Sequence, residues 1–231
     1  RVIPHPLLPP RPAPRRAPSV GSGAWAARDR RLGAPRHLPL TGAACLKRLR
    51  ELKIPFKRAR AHRGIATPVV VTGAVNGLRL APMWGHRPAL MDCRFALVLH
   101  RIAPIVRRVG FDELRYSAFY SYRNVAGTRR LSRHGNGLAV DIFEMRGPGG
   151  LRANLLKDWV KAVGRPGDCV AGVKKREARM LRTMACALEH SGILFQVLTP
   201  DSNYAHRNHF HLSALRRGER PLRNRYCGRR H

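Results

Sequence analysis

The sequence predicts an α+β domain, a small antiparallel sheet with helices packed on it. Three observations carry this reading. The alternating run Leu138 to Phe143 follows the Gly-rich turn Gly135-Asn136-Gly137 and has the pattern of a half-buried strand. Phe95, Leu99, Ile102, Val106 and Val109 recur on one helical stripe behind Asp92, a residue type that caps helices. The runs Ile193 to Leu198 and Asn208 to Leu212 form a closing strand pair near the other end.

Taken in order, residues 1–39 carry Pro at 4, 6, 9, 10, 12, 14, 18, 35 and 39 among scattered Arg. That composition favours extended polyproline-like chain and cannot build a core, so 1–39 reads as a linker or basic arm and 40–231 as the domain. Thr41 is placed to cap a helix with Cys45, Leu49 and Leu52 inward, ending before Pro55. The stretch PVVVTGAVNGLRLAP, Pro68 to Pro82, reads as a hairpin turning at Asn76-Gly77. The helix behind Asp92 stops at Gly110 and should kink or break at Pro104. Glu113 to Tyr122 alternates as a strand, and helical patterns follow at Leu151 to Val163 and Val173 to His190. In the last of these Met180, Leu181, Met184 and Leu188 face inward, a Met stripe that reads as core packing.

A hydrophobic content of 44% over 231 residues suffices for one well-buried domain and a tail. Lys+Arg 45 against Asp+Glu 13 gives a formal +32, which attracts polyanions such as nucleic acid, anionic lipid or the acidic polymers of a cell wall. Charge does not choose among them. Aromatic content is 6% and no motif interleaves aromatics with basic residues, so nothing here supports nucleic-acid binding. No run is long enough to span a membrane. The five cysteines show no C-x-x-C spacing, which argues against a structural zinc finger. An exported protein would form two pairs and leave one cysteine over, whereas a reducing compartment would keep buried thiols. The sequence begins at Arg1 and not at Met, so it is silent on an export signal, and it is equally silent on oligomeric state.

Two clusters carry chemistry. His134 and Asp141 stand seven residues apart around the glycine turn, and alternation puts Leu138, Val140 and Ile142 on the core face while Asp141 leaves it. In the second cluster His209, His211 and Ser213 share one strand face, with Phe210 and Leu212 on the other. Together they offer a His/Asp/His set and a spare His. Three such ligands and an open position suit catalytic zinc, which activates a bound water.

The segments YSYRNVAGTRRLSRHGNGLAVDI and LTPDSNYAHRNHFHL, with the Cys-led helix at Cys45 and the Asp-Cys-Arg start at Asp92, resemble the bacterial extensin-like C-terminal family. That family is itself similar to the LAS group of zinc peptidases, which includes penicillin-insensitive murein endopeptidases and D-Ala-D-Ala peptidases. The resemblance implies zinc held by His134, Asp141 and His211, with His209 or His206 assisting the bound water and Arg123 holding substrate. It also implies an LAS/hedgehog-like fold and a periplasmic or secreted endo- or carboxypeptidase acting on peptidoglycan stem peptides or cross-links. The alternative is a wall-binding module that keeps the metal site without turnover. Cys45 and Cys93, both leading helices in the family-like part, are expected to form a disulfide. Three positions depart from the family pattern: Tyr122 where Cys is frequent, Arg133 where Glu is frequent, and Ser213 where an acidic residue is common.

Overall fold

The computed structural model describes residues 42–161, 169–216 and 218–222; the expected 1–39 arm, the Thr41 cap and Cys227 lie outside them. In chain order the elements are α1 (Gly42–Glu51), β1 (Phe56–Arg58), β2 (Pro68–Val71), β3 (Arg79–Pro82), β4 (Ala89–Asp92), α2 (Cys93–Val109) and β5 (Glu113–Tyr116). Then follow β6 (Ala139–Arg146), β7 (Arg152–Asn154), α3 (Leu155–Asp158), α4 (Arg176–His190), β8 (Leu194–Leu198) and β9 (Phe210–Ala214). This is the expected α+β domain, with two small sheets in place of one. The first runs β1-β2-β4; the second runs β3-β5-β6-β9-β8, with β7 added on β6. All pairings are antiparallel except β3 with β5, which is parallel.

Local chemistry sets α2. The buried Asp92 accepts from the Arg94 amide at 3.0 Å as N-cap, and its second oxygen accepts from the Ala66 and Thr67 amides at 3.1 Å each. Gly110 closes the helix at φ 111°, a left-handed conformation that glycine adopts without penalty. Between them α2 runs through Pro104 without a break. A proline at this position lacks the amide that would bond the His100 carbonyl, and Asn76 Nδ2 donates to that carbonyl instead, at 3.2 Å.

Asn76 comes from the expected turn, which forms: Val75 and Leu78 exchange amide and carbonyl bonds of 2.9 and 3.0 Å around Asn76 (φ 50°) and Gly77 (φ 76°). The hairpin does not. β2 already bonds β1 on one edge and β4 on the other, so the chain leaving the turn joins β5 in the second sheet. Two further expectations give way to tertiary contacts. β5 ends at Tyr116 and not at Tyr122, because a register shift between Arg115 and Tyr116 turns the chain across β6, with the Ser117 amide on the Asp141 carbonyl at 3.0 Å. The predicted helix from Leu151 begins instead as β7, paired Met145 to Ala153, and only one turn of helix, α3, follows. Here Arg152 pairs with the buried Glu144, and the Asn154 side chain caps α3 by accepting from Leu156 and Lys157 amides.

The core lies between the helices and the second sheet. Phe95, Leu99 and Ile102 of α2, Leu181, Met184 and Leu188 of α4, and Val140, Ile142, Phe210 and Leu212 of the sheet are fully or nearly fully buried. Each such Leu or Phe contributes about 2–3 kcal/mol through burial. Met180, expected inward, is partly buried. The expected Cys45–Cys93 disulfide joins α1 to the start of α2 across 48 residues, and a second joins Cys169 to Cys186. On a chain-entropy account a loop of that length stabilises by about 4 kcal/mol. One face of the second sheet is thereby covered, and the other carries the polar residues of β6 and β9.

Candidate metal centre

In the antiparallel register of β6 and β9, Asp141 lies directly opposite His211, so both side chains leave the same face of the sheet. Their neighbours Val140 and Leu212 take the buried face. His134 reaches the same point from a 3-10 turn, His134–Asn136, that precedes β6. Glycine is required beside it. Gly137 sits at φ 62°, and a Cβ there would come within 2.6 Å of the Asp92 amide nitrogen. Gly64, at φ 83°, would place a Cβ 2.2 Å from the Gly135 carbonyl oxygen.

Three donor atoms converge. His134 Nε2 is 3.1 Å from Asp141 Oδ1 and 3.1 Å from His211 Nδ1, and His211 Nδ1 is 2.8 Å from Asp141 Oδ1. Behind the first imidazole, His134 Nδ1 donates to the Phe119 carbonyl at 3.3 Å. A carbonyl only accepts, so that contact uses a proton on Nδ1, and Nε2 is the atom turned to the carboxylate and the second imidazole. Atoms in such contact are held together by a shared proton or by a cation among them. Atoms about 3 Å apart can all reach one ion at the roughly 2.0–2.1 Å bond length of zinc to nitrogen or oxygen. The His134–Phe119 bond is the outer contact that orients metal-binding histidines. His134, Asp141 and His211 are thus a set that could hold a metal ion.

The other expected site residues surround this set. His209 stands 3.6 Å from Asp141 Oδ1 through Nε2, while its Nδ1 lies 2.9 Å from Asn208 Oδ1 and its ring stacks on Phe143. His206 is further out, its ring centroid 5.7 Å from that of His211 and its Nδ1 2.7 Å from Asn203 Oδ1. Arg123 is exposed at the rim, close enough for its charge to act on His209 and His211. Sequence reasoning missed Phe143, Asn203 and Asn208, whose roles depend on ring and amide contacts that have no local sequence pattern.

The family described as extensin-like protein C-terminus matches residues 43–227. The chain belongs to that family. No curated protein and no solved structure matches it significantly. The matched span of the extensin-like domain takes in both disulfides, the metal-donor set, His206, His209 and Arg123.

Electrostatics in the extensin-like domain favour a cation at the donor set. Burial pushes Asp141 up, but the hydrogen bonds and charge of His134 and His211 outweigh it and hold the carboxyl well below the usual range. Burial lowers His211 and His209, although the Asp141 charge opposes it in both, and burial with the neighbouring histidines pushes His206 down to about 4. Neutral imidazoles and an ionised carboxylate are the forms that ligate metal.

The three departures from the family pattern have separate fates. Arg133 turns away from the donors: it forms two hydrogen bonds of 2.8 and 2.7 Å to Glu219, one to the Ala214 carbonyl, and lies 3.6 Å over the Phe195 ring. Arg216 adds bonds to the Leu131 carbonyl and Asn136 Oδ1, so the segment after β9 is strapped to the His134 turn. Tyr122 is 43% exposed beneath the Arg63 guanidinium. Ser213, on the His211 face of β9, is fully buried with no partner for Oγ among the described residues.

Proposed function

We propose that this extensin-like domain is a zinc-dependent hydrolase that cleaves peptide bonds in peptidoglycan stem peptides or cross-links, outside the cytoplasm. The observation that carries the reading is the convergence of His134 Nε2, Asp141 Oδ1 and His211 Nδ1 on the open face of the sheet, with a further imidazole, His209, at its edge. The substrate class follows from the resemblance of the sequence motifs to LAS zinc peptidases. Zinc bound there would polarise the scissile carbonyl and make its bound water acidic enough to ionise near pH 7.

The chain's own residues supply the rest. His209 is fixed by Phe143 on its face and Asn208 on Nδ1, which leaves Nε2 directed at the donor set to take a proton and pass it to the leaving amine. His206, turned toward Asn203, is the more remote candidate for that role. Arg123 at the rim offers a guanidinium fork for a substrate carboxylate or carbonyl. The formal +32 of the chain holds the domain on acidic wall polymers. The disulfides support an oxidising location, and among the described residues no helix is long and apolar enough to cross a membrane.

A second reading, a wall-binding module that holds metal without turnover, is favoured by Ser213. A buried hydroxyl without a partner among the described residues stands where the family pattern has an acidic group, which removes an acceptor from the strand that carries His211. Digestion of purified peptidoglycan, followed by mass spectrometry of the products with and without a chelator, separates the two. Chelator-sensitive release of peptides at one bond type supports the hydrolase; metal-loaded protein that binds the wall and releases nothing supports the module.

A further inference from the structure

The open face of the second sheet continues past the metal donors. Phe143 stands two residues along β6 from Asp141, and its ring stacks on His209 with centroids 5.0 Å apart at 24°. Trp84, just beyond β3, meets Phe143 edge-on at 5.0 Å and 68°. These two contacts place Trp84 within about 10 Å of His209, ring centre to ring centre.

Trp84 is 57% exposed, yet its loop is anchored. The Met83 amide donates to the Tyr116 carbonyl at 2.6 Å, and the hydroxyl of the same buried tyrosine donates to the Arg87 carbonyl at 2.6 Å. One residue therefore holds both ends of the Trp84 loop, which lowers the backbone ordering cost of binding there. Its loop neighbours Gly85, His86, Arg87 and Pro88 are exposed and mostly polar or small, so this is one aromatic ring among polar groups and not the broad apolar patch that a protein partner would cover.

We propose that Trp84 is a sugar-stacking residue at the outer end of the substrate cleft, so that the domain acts on stem peptides still attached to their glycan. The proposal rests on the peptidoglycan reading above. An indole face is electron-rich and attracts groups of partial positive charge. The face of a pyranose ring offers a row of polarised C–H groups, and its hydroxyl and amide edges suit the polar loop. Extended peptide covers about 3.3 Å per residue, so a sugar on Trp84 puts the cut bond within about three residues of the amino sugar.

The test uses Trp84→Ala and Trp84→Phe in the full domain, each checked for zinc content. Calorimetric titration with the β-1,4-linked tetrasaccharide of N-acetylglucosamine should show binding that weakens about tenfold in Trp84→Ala and partly recovers in Trp84→Phe. On muropeptides, kcat/KM for the glycan-linked form relative to the same peptide freed of sugar should fall about tenfold in Trp84→Ala, with the loss in KM. Failure of the unmodified domain to bind the tetrasaccharide, or an unchanged preference for glycan-linked substrate in Trp84→Ala, overturns the proposal. A domain that hydrolyses neither form sinks the hydrolase reading, and the tetrasaccharide titration then still decides on Trp84. If Trp84→Ala loses its zinc, Trp84→Phe alone decides: tetrasaccharide binding as tight as in the unmodified domain counts against the indole, and weakened binding supports it.

Discussion

Phe119 and Asn208 settle what the imidazoles beside them can do. The Phe119 carbonyl accepts a hydrogen bond from His134 Nδ1 and leaves Nε2 for the donor set, while Asn208 contacts His209 Nδ1 and leaves Nε2 facing Asp141. His209→Ala should therefore keep its zinc and lose roughly 10²- to 10⁴-fold in turnover, the usual cost of removing an acid/base group. Turnover and metal content measured together on one muropeptide check this, with His206→Ala in parallel; a His209→Ala variant that hydrolyses normally, or that loses metal with activity, removes the role. His134 and Asp141 were legible because their determinants are local, a glycine turn and strand alternation, whereas alternation left His209 and His211 together on one face and the choice of His211 came from the family resemblance. Phe143 and Trp84 were not legible beside His209. Their contacts come from the order β3-β5-β6, which no stretch of sequence states.

Among the elements, α2 is the most exposed to single changes at its start. Asp92→Ala removes the N-cap and leaves the Ala66 and Thr67 amides without their acceptor, at about 1 kcal/mol for the cap and about 1–3 for the buried Thr67 amide, while Ala66 is exposed to water. Thermal or denaturant unfolding should show a loss of about 2 kcal/mol or more, and a loss under about 1 would contradict the assigned contacts. Both ends of α2 could be read from Asp92 and Gly110 because caps are local signals, whereas β7 was mistaken for helix because its strand form depends on pairing with β6 and on Glu144. Glu144 also sets a pH dependence. Burial raises its carboxyl, but Arg146 and Arg152 outweigh that and lower it, so its contribution is complete above the ordinary carboxylate value of about 4.3 and is lost as pH falls through the lower folded value. The stability difference between the unmodified domain and Glu144→Gln should be constant near neutrality and shrink below about pH 4; a difference that grows on acidification would reverse the assignment.

At the scale of the molecule, one sheet face packs on helices and the other is open for chemistry, and the two disulfides brace the packed side. Peptide mapping under non-reducing conditions should find Cys45 with Cys93 and Cys169 with Cys186, and reduction should lower the melting temperature; free thiols at these positions in oxidised protein would refute the pairing. The hydrolase reading depends on an ion among His134, Asp141 and His211. Elemental analysis of the purified domain beside Asp141→Ala, after equal dialysis, tests that dependence directly. About one zinc per chain in the unmodified domain, falling close to none in Asp141→Ala, is the result predicted from three converging donors; full zinc retained by Asp141→Ala would contradict it.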